Sequence, residues 1–275
     1  MTPAIRIIFA VFALLICGLF VWRLSTGVWT LLNWGMLLVA AICCGSAFVR
    51  FVYVFNFGYA LCAILNGMLI GFARPSVATT LVAGVAILYG LRLFAFSWMR
   101  YRSDSYAARV SNVAGQDQNM PVAVKLSLWF MMTCLMTFHL MALWFVAARG
   151  VLSPGVAVGA LTMLAGVLLE AIADRQKQRS KAGSPDRFVE IGLFRRWRHP
   201  NYVGEILLQV GLIVAGVASI ATTGDAITAI VAPLYIVILM VAEARRLDLA
   251  QKAHYAEDTA YHAYRQQSGS LFPRL

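Results

Sequence analysis

Glu170-Ala-Ile-Ala-Asp174-Arg-Gln176-Lys-Gln178-Arg-Ser-Lys181 stands on the seam between two long apolar segments, and a turn-rich patch at 182–186 follows it. Gly192-Leu193-Phe194-Arg195-Arg196-Trp197-Arg198-His199-Pro200-Asn201-Tyr202-Val203-Gly204-Glu205 then opens the next apolar run. Between 174 and 200 there are eight Lys or Arg against three acids, the densest charge in the chain. Apolar runs on either side of such a stretch read as one helix leaving a membrane and another entering it. The spacing inside the stretch is equally informative. Glu170, Asp174 and Gln178 recur at i,i+4, so one helix face presents two acids and an amide. Pro200 suits the first turn of a helix, where a missing N–H costs nothing.

The rest of the chain agrees with that reading. It is 275 residues long, 61% hydrophobic and only 13% charged, far from the composition of a soluble domain. A bilayer core needs about 20 apolar residues per helix. Eight runs qualify, at roughly 5–24, 28–47, 51–72, 77–98, 126–147, 155–173, 201–221 and 226–243. They are continuous, without the alternation of membrane strands, so a barrel is excluded. The first run is too long for the core of a signal peptide and is expected to be a membrane helix. The fold expected is an all-α polytopic bundle of seven or eight spans with an interfacial helix near the C-terminus. Residues 1–48 read as scaffolding and 49–275 as the working bundle.

The net charge of +11 is explained by topology rather than by a nucleic-acid partner, which is not expected. With the N-terminus inside, 19 of the 23 basic residues fall in cytoplasmic segments. Arg23, Arg74 and Arg149 fall outside, and Arg92 lies within a span. The five cysteines all lie in apolar spans without metal-ligand or disulfide spacing, and read as small buried hydrophobes.

Polar residues inside the spans mark candidate chemistry. Asn56 and Tyr59 share a face of the third span, where an amide needs a partner across helices or a cavity. Arg92 sits about two turns from the cytoplasmic end of the fourth span, with Tyr89 deeper on the same face. It is read either as functional or as snorkelling to the interface. His139 stands alone near the middle of the fifth span and reads as a hydrogen-bonded packing residue. Asn201 and Glu205 share a face one turn apart, just after Arg198 and His199, at the positive end of a helix dipole. Together with Arg246, at the cytoplasmic exit of the last span, these residues outline a mouth for an anionic cofactor. Tyr255, Tyr261 and Tyr264 either pack on a bound ring or anchor the tail in headgroups.

At Glu170-x-x-x-Asp174-x-Gln176, Gly192-Leu-Phe and Arg198-His-Pro-Asn-Tyr202-x-Gly-Glu205 the chain resembles the steroid 5α-reductase family, in particular a bacterial branch catalogued as a domain of unknown function. The resemblance spans about 89–273. It implies a bundle of seven or more helices in the bacterial inner membrane, with both termini and the cofactor site cytoplasmic. It also implies NADPH as cofactor and a lipophilic substrate entering from the bilayer. By that motif Asp174, Lys181, Arg198, His199, Asn201, Tyr202, Glu205 and Tyr255 would contact NADPH, joined by Glu170, Gln178 and Arg246 from their positions. Tyr89 in Tyr89-x-x-Arg92 matches the tyrosine that polarises the substrate carbonyl. One departure stands out: the family pairs that tyrosine with a Gln-Glu dyad on an earlier helix, and this chain has no acid before Asp104. Asn56 is the nearest polar residue in a comparable place and the second catalytic candidate; an amide cannot supply a proton, so either Tyr89 acts alone or the substrate is not a steroid enone. The same superfamily holds membrane methyltransferases that use S-adenosylmethionine and share the His-Pro helix start and the Tyr-rich tail. That reading stays open, as does a non-enzymatic one.

Overall fold

The computed structural model describes residues 3–102 and 120–274, with side chains from residue 10 onward. Most of the polar loop expected over 100–125 therefore lies outside the described residues. Ten α-helices are described: α1 (Pro3–Ser25), α2 (Leu31–Cys44), α3 (Tyr59–Ala73), α4 (Val77–Tyr101), α5 (Val122–His139), α6 (Met141–Arg149), α7 (Pro154–Gly183), α8 (Pro200–Val217), α9 (Thr223–His254) and α10 (Thr259–Gln267). A 3₁₀ turn, Gly45–Phe48, extends α2, and a π-helical turn, Val54–Gly58, leads into α3.

Among the described residues, seven helices are long and apolar enough to cross a membrane: Leu31–Phe48, Val54–Ala73, Val77–Tyr101, Val122–Arg149, Pro154–Gly183, Pro200–Val217 and Thr223–His254. Eight apolar runs are counted in the sequence. The remaining run falls on α1 (Pro3–Ser25), of which only Ala10–Ser25 has described side chains. The fold class is thus a polytopic helical bundle. The fifth expected span is a helix pair, because Leu140 (φ −98°, ψ 10°) interrupts the run between α5 and α6.

Local chemistry sets the helix starts. Thr30, Ser76, Ser153 and Thr222 each accept a backbone N–H from three residues on. Such caps satisfy donors that hydrocarbon could not. Pro154 and Pro200 occupy first helical turns. Packing then follows side-chain size. The α5–α6 run is the most enclosed span and forms the centre of the bundle. Helices α7 and α8 make the closest pair, along a seam of glycines. A Cβ on Gly166 would lie 2.5 Å from the Gly204 carbonyl oxygen, and one on Gly204 would lie 2.7 Å from the Glu170 Cβ. Without side chains there, the two backbones meet directly. That close approach brings the polar faces of α7 and α8 against α4.

Candidate functional site

Where α3, α4, α5 and α8 meet, five polar side chains are buried together. Glu205, one turn into α8, carries the network. Its Oε2 accepts from the Tyr89 hydroxyl at 2.6 Å, and its Oε1 accepts from the Tyr59 hydroxyl at 2.9 Å and from Gln209 Nε2 at 2.8 Å. Gln209 Nε2 also donates to the Tyr59 oxygen at 2.9 Å. With both its N–H groups so used, Gln209 keeps Oε1 as an acceptor, and His139 Nε2 lies 3.0 Å from it. That arrangement assigns the proton of the imidazole to Nε2. The Tyr59 and Tyr89 rings meet edge to face at 5.7 Å, and Tyr59 meets His139 at 5.1 Å. Tyr89, His139, Glu205 and Gln209 are all buried.

A carboxylate does stand beside Tyr89, but it comes from the later helix α8 rather than from an earlier one. Glu205, expected at the cofactor mouth with Asn201, is turned instead into this network. Asn201 lies one turn nearer the helix start and is half-buried. Asn56 stands on the π-helical turn, and it is Tyr59 that reaches Tyr89 and Glu205. His139 is hydrogen-bonded, as expected of it, and its partners are Gln209 and Tyr59 of this network. The signal for Gln209, the missed member, is present in the sequence: it stands i,i+4 from Glu205 within an apolar span, where polar pairs need a common partner. Asn66, two turns beyond Tyr59, is fully buried with neither amide atom partnered, against the expectation for an amide in hydrocarbon.

One turn along α4 from Tyr89 lies a second tier. Arg92 Nη1 pairs with Glu170 Oε1 at 2.7 Å, and Nη2 donates to the Glu170 carbonyl at 3.1 Å and to Asp174 Oδ2. Arg92 thus neutralises acids of α7 rather than reaching for the interface. Glu170 Oε2 is buried and without a partner. Gln178, one turn beyond Asp174, is half-buried at the edge of the same face. Gln176 holds the next loop in place, its Oε1 accepting the Leu193 N–H at 2.8 Å. Gly192 (φ +56°) lies against that amide so closely that any Cβ would collide with it at 2.4 Å.

Several cations expected at phosphates are already engaged. Lys181 Nζ donates to the carbonyls of Pro185 (2.8 Å) and Arg187 (2.5 Å). Arg198 forks onto Asp248, Nε to Oδ1 at 2.8 Å and Nη2 to Oδ2 at 3.1 Å, and gives Nη1 to the Ser268 carbonyl at 2.5 Å. Its charged form is held despite burial, because Asp248 accepts both bonds. His199 Nε2 also reaches Asp248 Oδ1, at 2.9 Å, and the Tyr202 ring stacks on His199 at 5.6 Å. Arg246 pairs with Glu243 at an exposed site. Residues Arg175, Lys177 and Arg179 stand exposed around α7.

The tail closes this end of the bundle. Backbone bonds run from Gly269 N to the Arg196 carbonyl (2.9 Å), from Arg198 N to that of Gly269 (2.8 Å) and from His199 N to that of Ser270 (3.2 Å). Tyr255, Tyr261 and Tyr264 pack on Phe188, with Tyr264 stacked at 5.0 Å. The Tyr255 hydroxyl donates to the Asp186 carbonyl and that of Tyr264 to the Phe194 carbonyl. The tail tyrosines thus pack inward on the protein itself.

No curated protein and no solved structure matches this chain. A family model does match, over residues 46–268, which takes in α3 to α10 and every residue of both polar tiers. The chain belongs to the family described as protein of unknown function DUF1295.

Proposed function

We propose that this chain is a membrane-embedded reductase that uses NADPH to saturate a conjugated C=C bond in a lipophilic carbonyl compound. The observation that carries the reading is the buried Tyr89–Glu205–Tyr59 arrangement directly below a polar mouth. A phenol held in hydrocarbon with a carboxylate behind it suits the stabilisation of an oxyanion that develops on a carbonyl. Glu205 Oε2 depends on Tyr89, whereas Oε1 keeps Tyr59 and Gln209. Tyr89 turns its O–H to a substrate carbonyl while the carboxylate retains two donors. Tyr59 and Gln209 hold Glu205 in place, and His139 holds Gln209. The resemblance to the steroid 5α-reductases at the α7 and α8 motifs supports the same assignment.

The residues at the mouth fit a dinucleotide. Glu170 Oε2 is a buried acceptor with no partner, which suits a ligand hydroxyl or amide. Asp174 shares Arg92 with Glu170, and exposed Arg175, Lys177 and Arg179 suit phosphate charge. Bound NADPH supplies the hydride. The substrate side is aromatic: Phe57, Phe94, Trp98 and Tyr101 form a continuous ring cluster on α4 and the π turn. That surface suits a flat lipophilic molecule arriving from the bilayer.

Detergent-purified protein is expected to bind NADPH and to consume it when given a conjugated lipophilic enone. Tyr89→Phe is expected to lower turnover about a hundredfold with NADPH affinity unchanged. Binding of S-adenosylmethionine without NADPH overturns the reading, and so does full activity of Tyr89→Phe.

A further inference from the structure

A second polar feature lies outside both tiers. A cleft of about 600 Å³ opens between α10 and the tail at 268–274, and Arg198, His262, Arg265, Ser268, Ser270 and Arg274 line it. No acidic side chain lines it. Arg198 is already neutralised by Asp248, so it adds shape rather than net charge. Arg265 and Arg274 differ. Among the described residues neither forms an ion pair, and Arg274 gives a single hydrogen bond to the Gln266 carbonyl. His262 Nε2 donates to the Ala256 carbonyl at 2.8 Å, the Ser268 hydroxyl donates to the Tyr264 carbonyl at 2.8 Å, and Ser270 also lines the cleft. Two guanidinium groups lining one cleft, without a carboxylate partner among the described residues, suit a phosphate-sized anion.

The position of the cleft says where that anion comes from. The tail is hydrogen-bonded to 196–199, and the next residue, Pro200, begins a membrane span. Phe272 follows Ser270 by two residues, within about 7 Å of chain, and is 84% exposed. A large ring so exposed next to the start of a span, flanked by Arg265 and Arg274, combines an apolar anchor with a cationic seat at the membrane boundary. A soluble anion would need the cations but not the ring.

We propose that this cleft binds the phosphate of an acidic phospholipid headgroup, with Arg265 and Arg274 on the phosphate and Phe272 entering the acyl region. The site is independent of the reductase reading, because none of these three residues belongs to either polar tier. Lipid bound there would brace the tail against 196–199 and hence the Arg198–Asp248 fork.

Native mass spectrometry of the full chain, equilibrated in detergent with equal phosphatidylglycerol and phosphatidylcholine, tests it. Phosphatidylglycerol is expected to be retained about tenfold or more over phosphatidylcholine, as two basic contacts imply. The double variant Arg265→Gln/Arg274→Gln is expected to bring the two lipids to parity with the thermal midpoint in lipid-free detergent unchanged. Phe272→Ser is expected to weaken retention of both lipids. Parity in the unaltered chain, or a preference that survives the double variant, overturns the proposal. A parallel titration with inorganic phosphate separates the sources: a thermal shift with phosphate but none with phosphatidylglycerol overturns the lipid assignment in favour of a soluble anion.

Discussion

Glu205 shows how much one side chain decides. Three donors converge on it, and charge-assisted hydrogen bonds of this kind contribute roughly 1.5–3 kcal/mol each. Glu205→Gln keeps the size but replaces one acceptor oxygen by an N–H group, which then faces a hydroxyl donor. If Tyr89 works with Glu205 behind it, this variant lowers enone turnover about ten- to a hundredfold and leaves NADPH affinity within about twofold. Tyr59→Phe is expected to cost less, because Glu205 Oε1 keeps Gln209. His139→Ala removes the donor to Gln209 Oε1 and is expected to act on Glu205 through Gln209, so its effect should vanish in a Gln209→Ala background. Steady-state kinetics on the single and double variants read this out; additive losses would separate His139 from the network. The sequence placed Tyr89 correctly on the face of Arg92. It could not show that Glu205 turns away from the mouth, because helix rotation depends on the glycine contact with α7. Gln209 and Tyr59 gain meaning only through a carboxylate contributed 146 residues beyond Tyr59.

Among the elements, the α7–α8 seam positions both tiers at once. Gly204 touches Glu170 at the level where the ion pair with Arg92 forms, so any added atom pushes the two helices apart. Gly204→Ala is expected to cost about 1–3 kcal/mol as an overpacked contact and to disturb Arg92 and Glu205 together. Gly183→Ala, at the end of α7 with nothing within 4 Å of the added Cβ, serves as the control and should be neutral. Thermal unfolding in detergent distinguishes them; equal midpoints would show that the seam yields freely. The tail carries a pH prediction. Burial pushes the Tyr264 phenol from its usual value near 10 up to about 12. The folded state therefore holds the proton more tightly, and the bond to the Phe194 carbonyl is complete below about pH 10. It is lost as pH rises towards about 12. The protection of 192–199 against hydrogen exchange, taken relative to the intrinsic rate at each pH, should hold to about pH 10 and fall above it, and Tyr264→Phe should remove that fall. Element existence was legible throughout, since apolar length and Ser/Thr or Pro starts fix spans. The break at Leu140 was not, because no Gly or Pro marks it.

For the whole molecule, the question is what joins the first two helices to the remainder, since the family match begins at residue 46. Their packing on α5 is largely apolar, with Phe20 meeting Phe130 at 5.9 Å and Trp29 meeting Phe138 at 5.9 Å. Among the described residues, the one ion pair across that boundary is Arg23 Nη1 to Asp225 Oδ1 at 3.1 Å. It runs from the end of α1 to the first turn of α9, with side chains only 6% and 17% exposed. Arg23 also lies 5.7 Å from the Trp22 ring centroid and 5.9 Å from that of Phe145. Arg23 is thus a buried charge with a fixed partner rather than a free surface cation. A buried pair is costly to break from one side, because the survivor is left unpaired, whereas removing both charges together can be neutral. Arg23→Met is expected to destabilise by about 3–5 kcal/mol, and Asp225→Leu similarly. The double variant Arg23→Met/Asp225→Leu should recover most of that loss. Thermal midpoints in detergent for all four chains close the cycle. Enone turnover per folded molecule should be unchanged in every case, since the pair sits at the opposite end of α9 from Asp248. If the double variant is as unstable as the sum of the singles, the pair does not act as a unit, and the apolar contacts of Phe20 and Trp29 hold α1 and α2 in place without it.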